Sequence, residues 1–184
     1  MKRMLAAAAF AALVAGAGTA SAQAVMVGGQ SMYPTKDIVD NAVNSADHTT
    51  LVAAVKAADL VATLKGKGPF TVFAPVNDAF ENLPDGTVAT LLKPANKAAL
   101  TKVLTYHVVS GRLTAHELME KIKKGKGRAT LMTVSGGKLF ATMNGPRNIV
   151  LMDESGNTAH ISTYDVNQSN GVIQVIDRVL LPKM

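Results

Sequence analysis

The sequence contains no cysteine and no tryptophan, and aromatic residues make up only 4% of its 184 residues. Without cysteine the protein cannot form a disulfide, use a thiolate as a nucleophile, hold a metal through cysteine sulfur or carry a lipid on an N-terminal cysteine. The scarcity of aromatic side chains that could stack on bases argues against nucleic acid as a partner. Stability must therefore come from an aliphatic core.

Acidic residues are absent from the first 36 positions, and the first 22 residues have the layout of a signal peptide. Lys2 and Arg3 precede an apolar run over residues 4–14, which is too short to span a bilayer. The small residues Ala-Ser-Ala that end at Ala22 fit the pattern cut by a signal peptidase. We predict cleavage after Ala22, with Ala24 as a second choice, and export to the periplasm or the medium. An uncleaved membrane anchor is the alternative.

The chain after Ala22 has no run of about 20 apolar residues, so we expect no transmembrane segment there. The remaining 162 of the 184 residues suit one domain. Removal of Lys2 and Arg3 lowers the formal net charge from +6 to +4. We predict a flexible lead-in over residues 23–36 and a single domain over residues 37–182.

Apolar residues recur at helical spacing as far as about residue 124 and at a spacing of two beyond it. Short helices are predicted around residues 38–43, 51–62, 77–83, 87–92, 96–108 and 115–124, with a buried strand at 70–74. Later strands are predicted at 129–134, 138–143, 148–152, 158–162 and 171–181, separated by glycine-rich turns. The last strand is apolar on both faces, which is typical of the interior of a sheet. This order predicts an α+β fold with a sheet or sandwich packed by N-terminal helices.

Three segments stand out as motifs: residues 68–80 (GPFTVFAPVNDAF), residues 104–109 (LTYHVV) and residues 170–182 (NGVIQVIDRVLLP). In this order they resemble the first block, the Tyr-His segment and the closing block of the fasciclin (FAS1) family. The resemblance covers roughly residues 37–182 and implies a FAS1-type β-sandwich with flanking helices. It also implies a non-catalytic role in adhesion or extracellular interaction. Gln174 stands where many relatives have histidine, which weakens any proton or metal role for that position.

In animal relatives the Tyr-His segment has been proposed to bind cells. By that resemblance, the candidate binding residues of this chain are Leu104, Tyr106, His107, Val108 and Val109. The alternative is structural: both ring side chains pack under the sheet, since the segment lies in an apolar run. Asn77 and Asp78 are interpreted as residues that start a helix, and Asn170 as a turn residue.

A second candidate site is cationic. Lys121, Lys123, Lys124, Lys126 and Arg128 fall within eight residues, and such a cluster could attract an anionic surface or polysaccharide. A solvated helix end is the alternative interpretation.

We predict no enzyme, no cofactor and no metal site. The residues Ser135 and Lys138 match a Ser-x-x-Lys spacing, but two intervening glycines predict a hairpin turn instead of the helix that this catalysis needs. The four histidines show no spacing typical of a metal site. Methionine and histidine together can bind copper, but Met132, Met143 and Met152 fall in predicted strands and are interpreted as core residues.

The leading functional hypothesis is an exported binding module for an extracellular or cell-surface protein or glycan. The alternative is a periplasmic carrier that holds a small apolar molecule between sheet and helices, which predicts a hydrophobic cavity of several hundred Å³. The sequence leaves the ligand and the oligomeric state open.

Overall fold

The computed structural model describes residues 23–183. The α-helices are α1 (Ile38–Ala42), α2 (Thr49–Ala57), α3 (Val61–Leu64), α4 (Asn77–Glu81), α5 (Thr87–Leu91), α6 (Lys97–Tyr106) and α7 (Ala115–Lys124), and short 3-10 helices cover Ala46–His48 and Pro94–Asn96. The strands are β1 (Val25–Val27), β2 (Gln30–Met32), β3 (Phe70–Pro75), β4 (Val108–Ser110), β5 (Arg128–Met132), β6 (Lys138–Asn144), β7 (Asn148–Met152), β8 (Thr158–Gln168) and β9 (Gly171–Ile176). The predicted signal peptide lies outside the described residues.

Residues 23–36 are not the flexible lead-in that we predicted, because strands β1 and β2 pair there as a hairpin. Gly28 and Gly29 both have positive φ, 58° and 71°, which is the type I′ turn that matches the twist of paired strands. Val27 and Met32 are buried in the core. The hairpin is too short to show a strand pattern in the sequence, and its attachment to the domain is what orders it.

Helix α7 has the boundaries that the sequence predicts, for a local reason. The Thr114 hydroxyl accepts a hydrogen bond from the Glu117 backbone N–H, and the Glu117 carboxylate accepts one from the Thr114 N–H. This capping box satisfies two N–H groups that the first turn of a helix leaves without partners. Leu118 and Ile122 then bury one face of the helix.

Seven strands form one sheet in the order β4-β3-β9-β8-β7-β6-β5. Strand β3 pairs in parallel with β9, and the other neighbours pair antiparallel. All six residues of β9 are buried, which confirms the prediction of an interior strand. The strand ends at Ile176 instead of residue 181. Beyond it the backbone leaves the ladder, and the Leu180 and Leu181 N–H groups bond to the side chains of His107 and Asp153.

The sheet curls until its two edges almost meet. Val109 of β4 forms an isolated antiparallel bridge with Thr133, and the Val134 N–H donates to the Val108 carbonyl at 2.8 Å. Val108 was predicted to lie in a helix. Helix α6 ends two residues earlier, at Tyr106, because His107 caps it and the chain turns into β4. The result is an α+β fold with a nearly closed seven-stranded sheet.

The curled sheet separates two apolar cores. The helix-side core lies between helices α1–α3 and α6 on one side and strands β3, β4 and β9 on the other, and it includes Val55 and Ile173. The sheet-enclosed core lies inside the curl, covered by α7, and it includes Leu118 and Leu151. Within residues 23–183, no helix has both the length and the apolar character needed to cross a membrane.

Candidate functional site

A cavity of about 250 Å³ lies in the helix-side core. Aliphatic side chains from seven elements make up most of its wall, among them Ile38 and Val39 of α1, Leu51 and Val55 of α2, Val72 of β3 and Ile173 of β9. These side chains offer few hydrogen-bonding groups, so the cavity is suited to an apolar ligand.

Regular side-chain spacing brings these residues to the cavity. In α2, Leu51 and Val55 lie one helical turn apart and therefore share a face. In β3, Val72 and Ala74 face the cavity side, whereas the intervening Phe73 packs in the sheet-enclosed core, as the alternation of a strand requires. The sequence predicts both faces but not the unfilled space between them.

The mouth of the cavity combines exposed apolar side chains with an ion pair. Val43 and Val134 line it with 47% and 46% of their surface exposed. Lys65 Nζ lies 2.5 Å from Asp40 Oδ1 and 3.5 Å from Asp37 Oδ2. The hydrogen bond from Lys65 lowers the pKa of Asp40, and the same bond raises the pKa of Lys65. At neutral pH the two groups that line the mouth, Asp40 and Lys65, thus neutralise each other.

The Tyr-His segment contributes to the wall of this cavity and not to the outer surface. Leu104, His107 and Val108 line the cavity, whereas Tyr106 and Val109 pack in the sheet-enclosed core. Each of the five is at most 5% exposed. The five candidate binding residues are therefore not available on the outer surface of the folded domain, and their burial agrees with the structural alternative, in which the segment packs under the sheet.

His107 is held as a neutral imidazole. Its Nδ1 lies 2.9 Å from the Val103 carbonyl oxygen, to which it must donate, and its Nε2 accepts the Leu180 N–H at 3.0 Å. These two bonds fix the tautomer. Burial penalises the imidazolium form and lowers the pKa of His107 to about 4. The ring thereby fastens the C-terminal segment to the end of α6.

Tyr106, next to His107 in the chain, packs in the sheet-enclosed core instead of the cavity wall. Its hydroxyl donates to the Lys138 carbonyl at 2.7 Å and accepts the Glu154 N–H at 3.1 Å. Burial raises the pKa of Tyr106 to about 12. A Cβ at Gly137 would lie 2.6 Å from the ring, so the glycine makes room for it.

The family model of the fasciclin domain matches residues 46–182. The chain belongs to the fasciclin family. This confirms the resemblance inferred from the three sequence segments.

Relatives of this fasciclin domain occur in bacteria and animals. Protein sll1483 of Synechocystis is 47% identical over 148 residues, which cover 80% of this chain and 74% of that protein. Immunogenic protein MPB70 of Mycobacterium bovis is 33% identical over 146 residues, 77% of this chain and 66% of that one. Human periostin is 29% identical over 140 residues, 74% of this chain but 15% of periostin.

A solved FAS1 domain pair from the insect cell adhesion molecule fasciclin I has the same fold. The two structures align with a TM-score of 0.69 at 17% identity. The alignment covers 79% of this chain and 51% of that chain, so the present fasciclin domain spans about half of the solved protein. The FAS1-type α+β fold predicted from the sequence is confirmed.

Gln174, the departure from the family pattern, is fully buried in this fasciclin domain. Its amide nitrogen donates to the Leu113 carbonyl and to Asp165 Oδ1, and its amide oxygen accepts the Asp165 N–H. Asp165 Oδ1 also accepts the Ala115 N–H at the start of α7. Gln174 therefore joins β9, the irregular part of β8 and α7, and both its amide nitrogen and its amide oxygen have partners within the protein.

Two asparagines have long-range roles that the sequence did not reveal. Asn77 does not cap its own helix; its side chain accepts the Thr50 N–H of α2 and donates to the Ala46 carbonyl. Asn170 lies in the turn between β8 and β9, as predicted, and its side chain in addition accepts the Ile38 N–H and donates to the Leu64 carbonyl at 2.8 Å. Asn170 thus joins β9 to helices α1 and α3, which form part of the cavity wall. The partners of both asparagines are distant in the sequence, so residue spacing cannot predict these hydrogen bonds.

The five residues of the predicted basic cluster are all exposed. Lys121, Lys123 and Lys124 occupy the last turn of α7, Lys126 lies in the following loop, and Arg128 opens β5. Strand β5 is the last in the order of the sheet, four strands away from β9, and none of the five residues lines the cavity.

Ser135 lies in the turn between β5 and β6, as predicted, and its hydroxyl bonds to that of Thr133 at 2.9 Å. Among residues 23–183, no three side chains of the metal-binding types His, Asp and Glu come together. The interpretation of the methionines needs one correction. Met132 is 54% exposed, because β5 is an edge strand of the curled sheet and this residue points away from the core.

Proposed function

We propose that this fasciclin domain is a non-catalytic binding module that works outside the cytoplasm and holds a small apolar ligand in the cavity of its helix-side core. The observation that carries the proposal is the cavity itself: about 250 Å³, walled by aliphatic side chains and open past Val43 and Val134. Well-packed domains leave few voids larger than a water molecule, so an apolar space of this size is a feature that needs an explanation.

The volume and the electrostatics of the cavity narrow the class of ligand. A cavity of about 250 Å³ lies just below the range of drug-sized ligand sites, which favours a short acyl chain or a compact ring system. Asp40 and Lys65 at the mouth satisfy each other, and Lys56, the other charged residue of the lining, is exposed, so no buried charge is left to bind a charged ligand group. A neutral, mainly hydrocarbon molecule fits this combination. We therefore favour the carrier alternative for the cavity.

The experiment is a binding titration with the neutral fluorescent probe N-phenyl-1-naphthylamine. We expect saturable binding by the mature protein and its loss in Ala42→Phe, since Ala42 is a half-buried residue of the cavity wall. Ala53→Phe is the matched control, because Ala53 is an exposed helical alanine outside the wall. Circular dichroism of both variants checks that they fold.

Native mass spectrometry of the protein purified from its own source supplies the second measurement. A bound mass of a few hundred daltons or less is expected, and it should be absent from Ala42→Phe. Bare polypeptide together with equal probe binding by both phenylalanine variants would contradict the cavity proposal.

A second candidate function, adhesion or another interaction with an extracellular protein or glycan, is favoured by the relatives. The solved domain pair with the same fold comes from an insect cell adhesion molecule. A pull-down with mature protein from the envelope and matrix of the source organism should then retain a macromolecule. Normal attachment by cells that lack the gene, with nothing retained, would remove this candidate.

Export is part of the same proposal, and it rests on the sequence of residues 1–22. N-terminal sequencing of protein recovered from the periplasm or the medium should begin at Gln23. Protein that stays in the cytoplasm with Met1 intact would contradict it.

A further inference from the structure

Positive charge is concentrated in one segment of the chain. Residues 121–152 contain seven lysine and arginine residues and no aspartate or glutamate. The five residues of the basic cluster come first, and Lys138 and Arg147 follow. Glu117 and Glu120 of α7 lie one helical turn before Lys121 and Lys124, but neither forms an ion pair with them among the described residues. The charge of these cations is therefore met by water or by a ligand.

The topology gathers most of these cations at one end of the sheet. Arg128 at the start of β5 lies opposite Thr142 of β6, and Asn144 at the end of β6 lies opposite Asn148 of β7. The β6–β7 turn, which carries Arg147, therefore lies at the same end of the sheet as the loop from α7 to β5. We call Lys121, Lys123, Lys124, Lys126, Arg128 and Arg147 the basic surface.

The basic surface is exposed and free of ion pairs in the part of the chain that the structure describes. All six residues are exposed. The ion pairs found among residues 23–183 involve only Lys65 and Lys97 on the cationic side. The helix dipole stabilises lysines near a helix C-terminus. This effect explains the lysines in the last turn of α7 but not Lys126, Arg128 or Arg147.

Lys126 occupies a backbone position that disfavours lysine. Its φ is 55°, in the left-handed region, and it lies between Gly125 and Gly127. Glycine or asparagine adopts this conformation at lower cost, and a strained position that keeps an unsuitable residue is a pointer to a role for its side chain. Here the side chain adds a charge at the centre of the basic surface.

Arg128 is prepared for an anion. Its guanidinium lies over the ring of Phe140, 3.7 Å from the ring centre, which restricts its motion while leaving the N–H groups at its edge. A planar guanidinium held in this way can donate two parallel hydrogen bonds to a carboxylate or a sulfate.

We infer that the basic surface binds an acidic polysaccharide, through carboxylate or sulfate groups spaced along the chain. An anionic membrane also attracts cations, but membrane-binding segments add exposed apolar side chains that enter the lipid. The only large apolar residue in 121–128 is Ile122, which is 2% exposed. This site is separate from the cavity, so the two proposals stand or fall independently.

The test compares dextran with its sulfated form, which differ in charge on one sugar chain, and adds polygalacturonate as a carboxylate polymer on another sugar chain. We expect mature protein to bind immobilised dextran sulfate and polygalacturonate, and not dextran, at 0.05 M NaCl. Affinity should fall steeply between 0.05 and 0.3 M NaCl, because bound cations displace counterions from the polymer. Comparison of the two acidic polymers distinguishes sulfate from carboxylate recognition.

The variant Lys121→Gln/Lys124→Gln/Lys126→Gln should bind dextran sulfate at least about tenfold more weakly, with a shallower salt dependence. Its matched control is Lys56→Gln/Lys67→Gln/Lys93→Gln, which removes the same charge from exposed positions elsewhere. Arg128→Lys keeps the charge but loses the planar donor set, and we expect a smaller, severalfold loss.

Thermal unfolding confirms that each variant is folded. Equal losses in the two triple variants would overturn the inference, because net charge alone would then explain binding. Equal binding of dextran and dextran sulfate would overturn it too, as would binding to phosphatidylglycerol vesicles with none to either acidic polymer.

Discussion

The two cores of this fasciclin domain are built from the same kinds of side chain but are filled to different degrees. The sheet-enclosed core is shut by α7 and by Tyr106, whose hydroxyl group is bonded on both its donor and its acceptor side. The helix-side core retains a cavity of about 250 Å³ and opens to solvent past Val43. The filled core stabilises the fold, whereas the core with the cavity has space for the small apolar ligand that we propose.

The largest expected effect comes from a matched pair of leucines, one in each core. Leu151→Ala empties a fully buried site in the sheet-enclosed core and should lower the free energy of unfolding by about 3–5 kcal/mol. Leu60→Ala enlarges the existing cavity from a half-buried position and should cost about 1 kcal/mol. Urea unfolding measures both. Equal costs would show that the helix-side core is packed as tightly as the other.

His107 stands at the boundary of the two cores and makes stability depend on pH. Its pKa is about 4 in the folded protein against an ordinary value of 6.5, so the unfolded chain binds the proton more readily. The stability that neutral His107 contributes is present above pH 6.5 and is lost as pH falls towards 4. The loss is about 3 kcal/mol by linkage.

Burial also lowers the pKa of His48, so the pH dependence of unfolding combines both residues. NMR titration separates them. The ring signals of His107 should stay unchanged down to about pH 5, with those of the exposed His116 as reference. A His107 midpoint near 6.5 would mean that the wall of the cavity is wetter than the structure implies.

Tyr106→Phe tests the closure of the sheet-enclosed core. Loss of the doubly bonded hydroxyl should lower the free energy of unfolding by about 1–3 kcal/mol at pH 7. The pKa of Tyr106 is raised to about 12, so the stability that its neutral hydroxyl contributes is fully present below pH 10 and is lost as pH rises towards 12. The variant should lack that part of the alkaline loss. Tyr33→Phe, at a 47% exposed ring, is the control and should change neither quantity.

The smallest effect is expected at the mouth of the cavity. Lys65→Gln removes the ion pairs with Asp37 and Asp40, but Lys65 and Asp40 are exposed, Asp37 is only half-buried, and such pairs are screened by solvent. The midpoint of thermal unfolding should therefore remain close to that of the wild type, whereas the rate of probe entry into the cavity should rise if the pair restricts access. A clear drop in the midpoint would mean that the mouth supports the fold.

Features whose causes are local were predictable from the sequence. The capping box at Thr114 and Glu117 and the glycine turn between β5 and β6 depend on residues a few positions apart. The burial of β9 on both faces could likewise be read from its composition. The family resemblance added the arrangement of these elements.

Features that depend on distant contacts were not predictable. Asn170 bonds to Ile38, which is 132 positions away, and no spacing rule connects them. Strand β4 follows α6 without a break in the apolar run, so its Val108 looked like one more helical residue. The cavity is harder to predict than either contact, because the residues that line it have the same apolar pattern as residues of a filled core.

The parallel pairing of β3 with β9 has a consequence for the newly made chain. Phe70 pairs with Gly171 and Pro75 with Ile176, so the centre of the sheet joins residues about one hundred positions apart. The ladder cannot form until the last strand has emerged from the ribosome, and until then β3 and β8 lack a neighbour. Translocation channels for unfolded polypeptides require a chain that has not yet folded. If the chain is exported as we propose, a domain whose final strand occupies the middle of its sheet would reach such a channel before it can close.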